Sequence, residues 1–134
     1  MFDKVVLIIS GGIAAYKSLE LIRLLKKNGA EVKCVVTEAA LDFVTPASIE
    51  HLSGETLRTS LNSRDEEIKM GHIELARWPD AVVVAPATAN IIAAMANGLA
   101  GDLAQTLLLA TTKPIYIAPA MNVRMWENSF FQNN

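Results

Sequence analysis

The 134-residue chain has a single cysteine, Cys34. No internal disulfide can form, and a cysteine-rich zinc site is excluded. An excess of one charge is also lacking. Twelve Lys and Arg stand against 14 Asp and Glu, a net charge of −2, so there is no basic footprint for nucleic acid. Apolar runs such as "KVVLIIS" fall far short of the ~20 residues that cross a bilayer, and are too short for a signal-peptide core with its cleavage site. These absences lead to the expectation of a soluble, cytoplasmic protein with no nucleic-acid partner, no membrane and no metal. Two nucleotide fingerprints are missing as well. A dinucleotide G-x-G-x-x-G would need glycine at 11, 13 and 16, and the chain has Ile13 and Tyr16. No G-x-x-x-x-G-K-[ST] occurs, so the P-loop reading fails. Neither a G-x-S-x-G elbow nor a cysteine–histidine pair supports a nucleophile.

What is present is a large apolar fraction, 51% of residues, which suits a sheet covered on both faces. Val5 to Ile9 is a continuous β-branched run and reads as a central strand. "SGG" breaks it. Ile13 to about Lys27 reads as a helix, with Ala15, Leu19, Ile22 and Leu25 at helical spacing and Gly29 just past its end. "EVKCVV" is a second strand, with Cys34 a buried, inert small residue inside it. "EAALDFV" is a short helix candidate. Thr45 then caps "PASIEHLS", which Gly54 stops. A short strand near Glu55 to Arg58 and a helix over "HIELARW" follow, on either side of the solvated run "RDEE". "AVVVA" (81–85) is another buried strand. Thr88 caps a helix from Ala89 to Asn97, and Asp102 caps one from Leu103 to about Ala110. "PIYIA" (114–118) is a further strand that looks buried. Strands alternating with helices specify an α/β fold, a doubly wound, mostly parallel Rossmann-like or flavodoxin-like sheet with helices on both faces.

In such sheets ligands bind beyond the C-terminal ends of the strands, at the switch point. The segments there are "SGGIAA" (10–15), "TEA" (37–39), "APATAN" (85–90) and "APAMN" (118–122). Three of the four are rich in small residues and hydroxyls, which let a backbone approach a ligand closely. Ser10, Gly11 and Gly12 precede a helix start, so they read either as a phosphate turn or as a plain tight turn. Thr37 and Thr88 are possible phosphate ligands, and Thr88 is equally a simple cap. Asn90 reads as a ring-edge partner or a solvated helix residue. On residue type alone, His72 and His51 are more often structural or solvated than catalytic. The segment "APAMNVRMW" is unusual for a loop, with large apolar groups around one amide, Asn122.

Pro119 to Trp126, "PAMNVRMW", matches the P-x-M-N-x-x-M-W motif of the flavin-containing cysteine decarboxylases. "GHIELARWPDAVVVAPATANIIAAMANGLAGDL" resembles their histidine and flavin-binding segments in order and spacing, and "ISGGIAAYKS" resembles their first βα turn. The resemblance covers essentially the whole chain and is strongest to the phosphopantothenoylcysteine branch. It implies one FMN-binding domain over residues 1–134, with Gly11, Gly12, Ile13, Thr37, Ala87, Thr88 and Asn90 near the flavin or its phosphate. His72 and Asn122 are implied as catalytic, with Asn122 and Met121 binding substrate. A mononucleotide agrees with a turn lacking the dinucleotide glycines.

The implied reaction is FMN-dependent decarboxylation of 4′-phosphopantothenoylcysteine to 4′-phosphopantetheine in coenzyme A biosynthesis, through transient oxidation of the cysteine side chain. The implied partners are copies of the same chain, as a trimer or dodecamer, and a fused or separate phosphopantothenate–cysteine ligase. One departure stands out. The family's proton-donating cysteine, on a substrate clamp, has no counterpart in this chain, and Cys34 cannot replace it. The expectation is a domain truncated before the clamp that binds FMN and stalls after oxidation or decarboxylation. Three alternatives remain: a peptidyl-cysteine decarboxylase of the lantibiotic type, a non-catalytic FMN-binding regulatory subunit, and a flavin prenyltransferase of related architecture.

Overall fold

The structure is a computed structural model, and it describes residues 2–59 and 73–134. Four parallel strands form one sheet in the order β2-β1-β3-β4. They are β1 (Lys4–Ile9), β2 (Glu31–Val36), β3 (Ala81–Ala87) and β4 (Ile115–Pro119). Arg58 adds an isolated parallel bridge to Val35 on the outer side of β2. This single bridge is what the structure has where the sequence suggests a short strand. The chain winds outward from β1 to β2, then returns to pair β3 against the other side of β1. That reversal places the switch point between β1 and β3.

The two faces of β1 feed two cores, as a period of two requires. Val6 and Ile8 pack with Val82, Val84, Ile91 and Leu107 on one face. Leu7 and Ile9 pack with Ile22, Val32, Val36 and Ile49 on the other. All these side chains are buried, each worth about 1.5–3 kcal/mol for the larger aliphatics. The second core is closed by α1 (Lys17–Lys27) and α2 (Pro46–Ser53). The first is closed by α3 (Ala89–Ala96), α4 (Leu103–Ala110) and a helical segment over 73–77. Two short helices, α5 (Val123–Glu127) and α6 (Ser129–Gln132), follow β4.

The caps sit where the side chains require. Thr45, Thr88 and Asp102 accept the N–H of Ser48, Ile91 and Gln105, three residues on in each case. Gly54 ends α2 in the left-handed region, at φ 74°.

Two expectations need correction. Ile13–Tyr16 is a tight 3₁₀ turn, and the α-helix proper begins at Lys17. β4 is the sheet edge among the described residues and not a buried strand: there it pairs only with β3, and Tyr116 and Ile117 are 50% and 41% exposed. Its apolar sequence is that of a strand with one uncovered side.

Candidate functional site

The ends of β1 and β3 are bolted together by one hydroxyl. Ser10, 2% exposed, donates its Oγ–H to the carbonyl of Pro86 and accepts the Thr88 N–H at 3.1 Å. Ser18 Oγ donates to the neighbouring Ala85 carbonyl at 2.7 Å. The β2 end is joined in turn, because Thr37 N–H donates to Ile9 O at 3.0 Å. Ser10 therefore spends its hydroxyl on the protein, and its role in the turn is to fix where Gly11 and Gly12 stand.

The two glycines differ. A Cβ on Gly11 would lie 2.5 Å from the Ala39 Cβ, so the loop after β2 can close down only over a glycine. A Cβ on Gly12 would meet only Thr88 Cγ2, at an ordinary 3.7 Å. Gly12 keeps space open for something else. The 3₁₀ turn that follows makes its first bond from Ala15 N–H to Gly12 O. The N–H groups of Ile13 and Ala14 lie ahead of that bond and have no partner within the turn.

Above these strand ends opens a cavity of about 830 Å³, within the usual range for ligand pockets. Gly11, Gly12, Ile13, Thr37, Thr88, Asn90, Met121 and Asn122 all line it. The fold thus gathers four separate segments, expected on sequence to meet, around one space. Thr37 and Thr88 each accept a backbone N–H, from Ala40 and Ile91, both at 3.3 Å. Each hydroxyl keeps its own proton to donate, so capping and ligand binding coexist. The floor therefore offers neutral donors: two hydroxyls and the free amides of the turn. That donor set fits one phosphate, and the volume fits a mononucleotide.

Ala87 does not join the site as the resemblance implies. Its side chain is fully buried in the core, and its carbonyl accepts Ala120 N–H at 3.0 Å. It holds the β4 loop against β3. His72 lies outside the described residues. Asp102 and Gln105 line the cavity without having been foreseen there, beside Glu38 of the 37–39 segment and Met125. Asp102 is legible only as a cap. Gln105 Oε1 accepts Gly101 N–H at 2.8 Å, which steadies the turn before α4 and leaves its amide as a donor.

Asn122 is the N-cap of α5, its Oδ1 accepting Met125 N–H at 2.9 Å. That bond fixes the amide orientation and leaves the Nδ2–H group as the donor it can offer a ligand. Met121 packs half-buried against the first core. Trp126 stacks at a tilt on Phe131, ring centroids 6.0 Å apart, and stays 47% exposed. Cys34 lies away from this site, and burial pushes its thiol up to about 12. Among the described residues, no group of three or more His, Cys, Asp or Glu could hold a metal ion, and no helix is long and apolar enough to cross a membrane.

A doubly wound sheet with a phosphate-sized donor cradle over its β1–β3 switch point is the architecture of a nucleotide-cofactor protein. The Flavoprotein family profile matches residues 2–134, and the chain belongs to that family. It is 52% identical over 126 residues to the coenzyme A biosynthesis bifunctional protein CoaBC of Haemophilus influenzae, covering 94% of this chain and 32% of that one. Against CoaBC of Escherichia coli K12 the identity is 49% over 131 residues, covering 98% and 32%. The chain thus spans about a third of the length of these relatives. Among solved structures, a PPC decarboxylase mutant complexed with pantothenoylaminoethenethiol superposes with a TM-score of 0.84 at 36% identity, covering 99% of this chain and 75% of that one. The FMN-dependent cysteine decarboxylase TvaF from thioviridamide biosynthesis gives 0.91 at 25% identity, covering 97% and 80%.

Proposed function

We propose that residues 1–134 form one FMN-binding domain that decarboxylates 4′-phosphopantothenoylcysteine in coenzyme A biosynthesis. The observation that carries this reading is the position of Asn122, whose capped amide lines the same cavity as the Gly12–Thr37–Thr88 cradle. The likeness to CoaBC proteins and to a PPC decarboxylase supports it.

Gly11, Gly12 and Ile13 shape the phosphate turn, Thr37 and Thr88 donate hydroxyl hydrogen bonds, and Asn90 faces the ring edge. FMN bound there supplies the two-electron chemistry that labilises the substrate carboxylate. Asn122 offers its Nδ2–H to that carboxylate and holds it in place, while Met121 and Met125 keep bulk water from it. His72 completes the catalytic pair around the decarboxylation step. Ile13 and Phe130 (83% exposed each) and Val123 (64%) are apolar side chains that a second copy would cover, in a trimer or dodecamer. The setting for this chemistry is the cytoplasm, with a phosphopantothenate–cysteine ligase acting before it.

The test is anaerobic. FMN-loaded protein mixed with 4′-phosphopantothenoylcysteine should lose flavin absorbance and release carbon dioxide. Protein that bleaches only with a peptide ending in cysteine would instead favour the second reading, peptidyl-cysteine decarboxylation. That reading is kept because a neighbouring structure is a mutant of EpiD complexed with the substrate peptide DSYTC, 27% identical with a TM-score of 0.83. Failure with both compounds would contradict decarboxylation.

A further inference from the structure

Beside the main cavity lies a second, open pocket of about 360 Å³. Ala89, Asn122 and Met125 line both, so the two spaces share a wall. Arg124, Asn128 and Phe131 complete the second one. Its polar groups are one-sided. Asn122 Oδ1 is committed to Met125 N–H. Asn128 Oδ1 accepts the N–H groups of Phe130 and Phe131, at 2.9 and 3.1 Å. Asn128 therefore has only its Nδ2 donor left for a ligand, while Asn122 offers its Nδ2 donor beside one remaining lone pair on Oδ1. Arg124 adds a guanidinium, which donates and never accepts, and among the described residues it forms no ion pair. The pocket's surface is mostly apolar, and the polar groups among its lining residues, an arginine and two amides, match an anion with several acceptor oxygens.

The main cavity has the opposite character. Its charged lining residues, among those described, are Glu38 and Asp102. A substrate with two anionic ends would find its cation in the side pocket. In 4′-phosphopantothenoylcysteine the carboxylate is the group that leaves, so that end must stay beside the flavin. The phosphate is at the far end of the pantothenoyl arm and must leave the main cavity.

We infer that Arg124, with the Asn128 amide, forms a phosphate subsite in the side pocket that anchors the non-reacting end of the substrate. This rests on the decarboxylase reading above. Anchoring a remote group positions the reacting one, which makes Arg124 a specificity-determining residue outside the P-x-M-N-x-x-M-W consensus letters.

The test uses FMN-loaded protein and two unreactive serine analogues, 4′-phosphopantothenoylserine and pantothenoylserine, with binding followed by calorimetry. Wild type should prefer the phosphorylated analogue by about tenfold or more, the size expected for charge-assisted hydrogen bonds. Arg124→Ala should reduce that ratio to about twofold or less, and Arg124→Lys should fall between, because an ammonium keeps the charge without the fork. Lys27→Ala, a charge removed at the far end of α1, should keep the wild-type ratio. A wild type without phosphate preference, or a preference that persists in Arg124→Ala, would overturn the subsite alone. So would equal weakening of both analogues, which would put Arg124 on the carboxylate, or a loss of FMN, which would put it on the cofactor. A wild type that binds neither analogue would bring down the coenzyme A reading and the subsite with it.

Discussion

The loops after β1 and β3 and the loop after β4 come from the same kind of strand end, yet they are built differently. At β1 and β3 the backbone is tied across 76 residues of sequence by Ser10 and Pro86, and the surrounding side chains are buried. After β4 the chain is held by Ala120 N–H to Ala87 O and, at its far end, by Asn97 Nδ2–H to Asn134 Oδ1 at 3.4 Å, and between them run two short helices with no buried residue. The first region is cross-linked at its base, although Ile13 at its tip stays 83% exposed. The second presents a donor amide, methionines and aromatics that need something beside them. A cofactor's phosphate wants a rigid cradle that costs no reorganisation. Under the proposed function a substrate must enter and leave, which an open wall after β4 would allow.

This contrast can be broken by substitution. The largest effect is expected at Asn122. Asp caps a helix as well as Asn does, so Asn122→Asp should keep α5 and the bound flavin. It replaces the outward donor by an acceptor and sets charge against the substrate carboxylate. Turnover should fall by about 100-fold or more, the scale of losing a donor from a pre-organised site. Stopped-flow bleaching checks this, and wild-type rates in the mutant would remove Asn122 from the chemistry.

In the rigid region the cost should appear in stability. Ser10→Ala leaves the Thr88 N–H and Pro86 carbonyl without their shared partner and should cost about 1–3 kcal/mol in urea unfolding. Gly11→Ala should cost a similar amount, about 1–3 kcal/mol, because the new methyl overlaps Ala39. Gly12→Ala sharpens the point: it should leave the unfolding midpoint nearly unchanged while weakening FMN binding, since its methyl enters the cavity. Equal behaviour of the two glycines would erase the distinction drawn between them.

The rigid half was only partly legible in the sequence. Thr45, Thr88 and Asp102 announce their helices because a cap acts on a backbone amide three residues away. The Val5–Ile9 run announces a central strand because burial on both faces demands it. The Ser10–Pro86 bolt leaves no local signal, since its two ends meet only when β1 and β3 pair. Local pattern also misplaced β4. "PIYIA" has the composition of a buried strand, and only the strand order reveals that one of its sides has no neighbour among the described residues. At the site, Asn122 stood out because an amide among methionines and tryptophan is odd for a loop. Gln105 did not, because a solvated polar residue on a helix looks the same as a cavity-lining one. Ala87 was the reverse case, in line with its site neighbours in sequence and turned into the core by an irregularity of β3 between Val84 and Ala87, which puts it on the face of Val82 and Val84.

Smaller effects should come from the core and the surface. Burial holds the Cys34 thiol neutral up to about 12, against an ordinary value of 9.0. A group raised in this way supports the fold fully below pH 9.0 and loses that support as pH rises toward 12. Cys34→Ala should flatten the alkaline loss of stability, read by thermal melts, and in the native wild type the thiol should resist alkylation. Smallest of all, Phe130→Ser should change monomer stability by less than about 0.5 kcal/mol. It should still shift the oligomer toward smaller species in light scattering, if copies of the chain cover the open region.

The cradle at β1 and β3 is the centre of this account, and the visible spectrum of the purified protein, before and after incubation with FMN, tests it most directly. The expected result is a yellow protein holding about one flavin per chain, with Gly12→Ala holding less under the same conditions. A folded wild-type protein that stays colourless after incubation with FMN would contradict the cofactor site and the chemistry built on it.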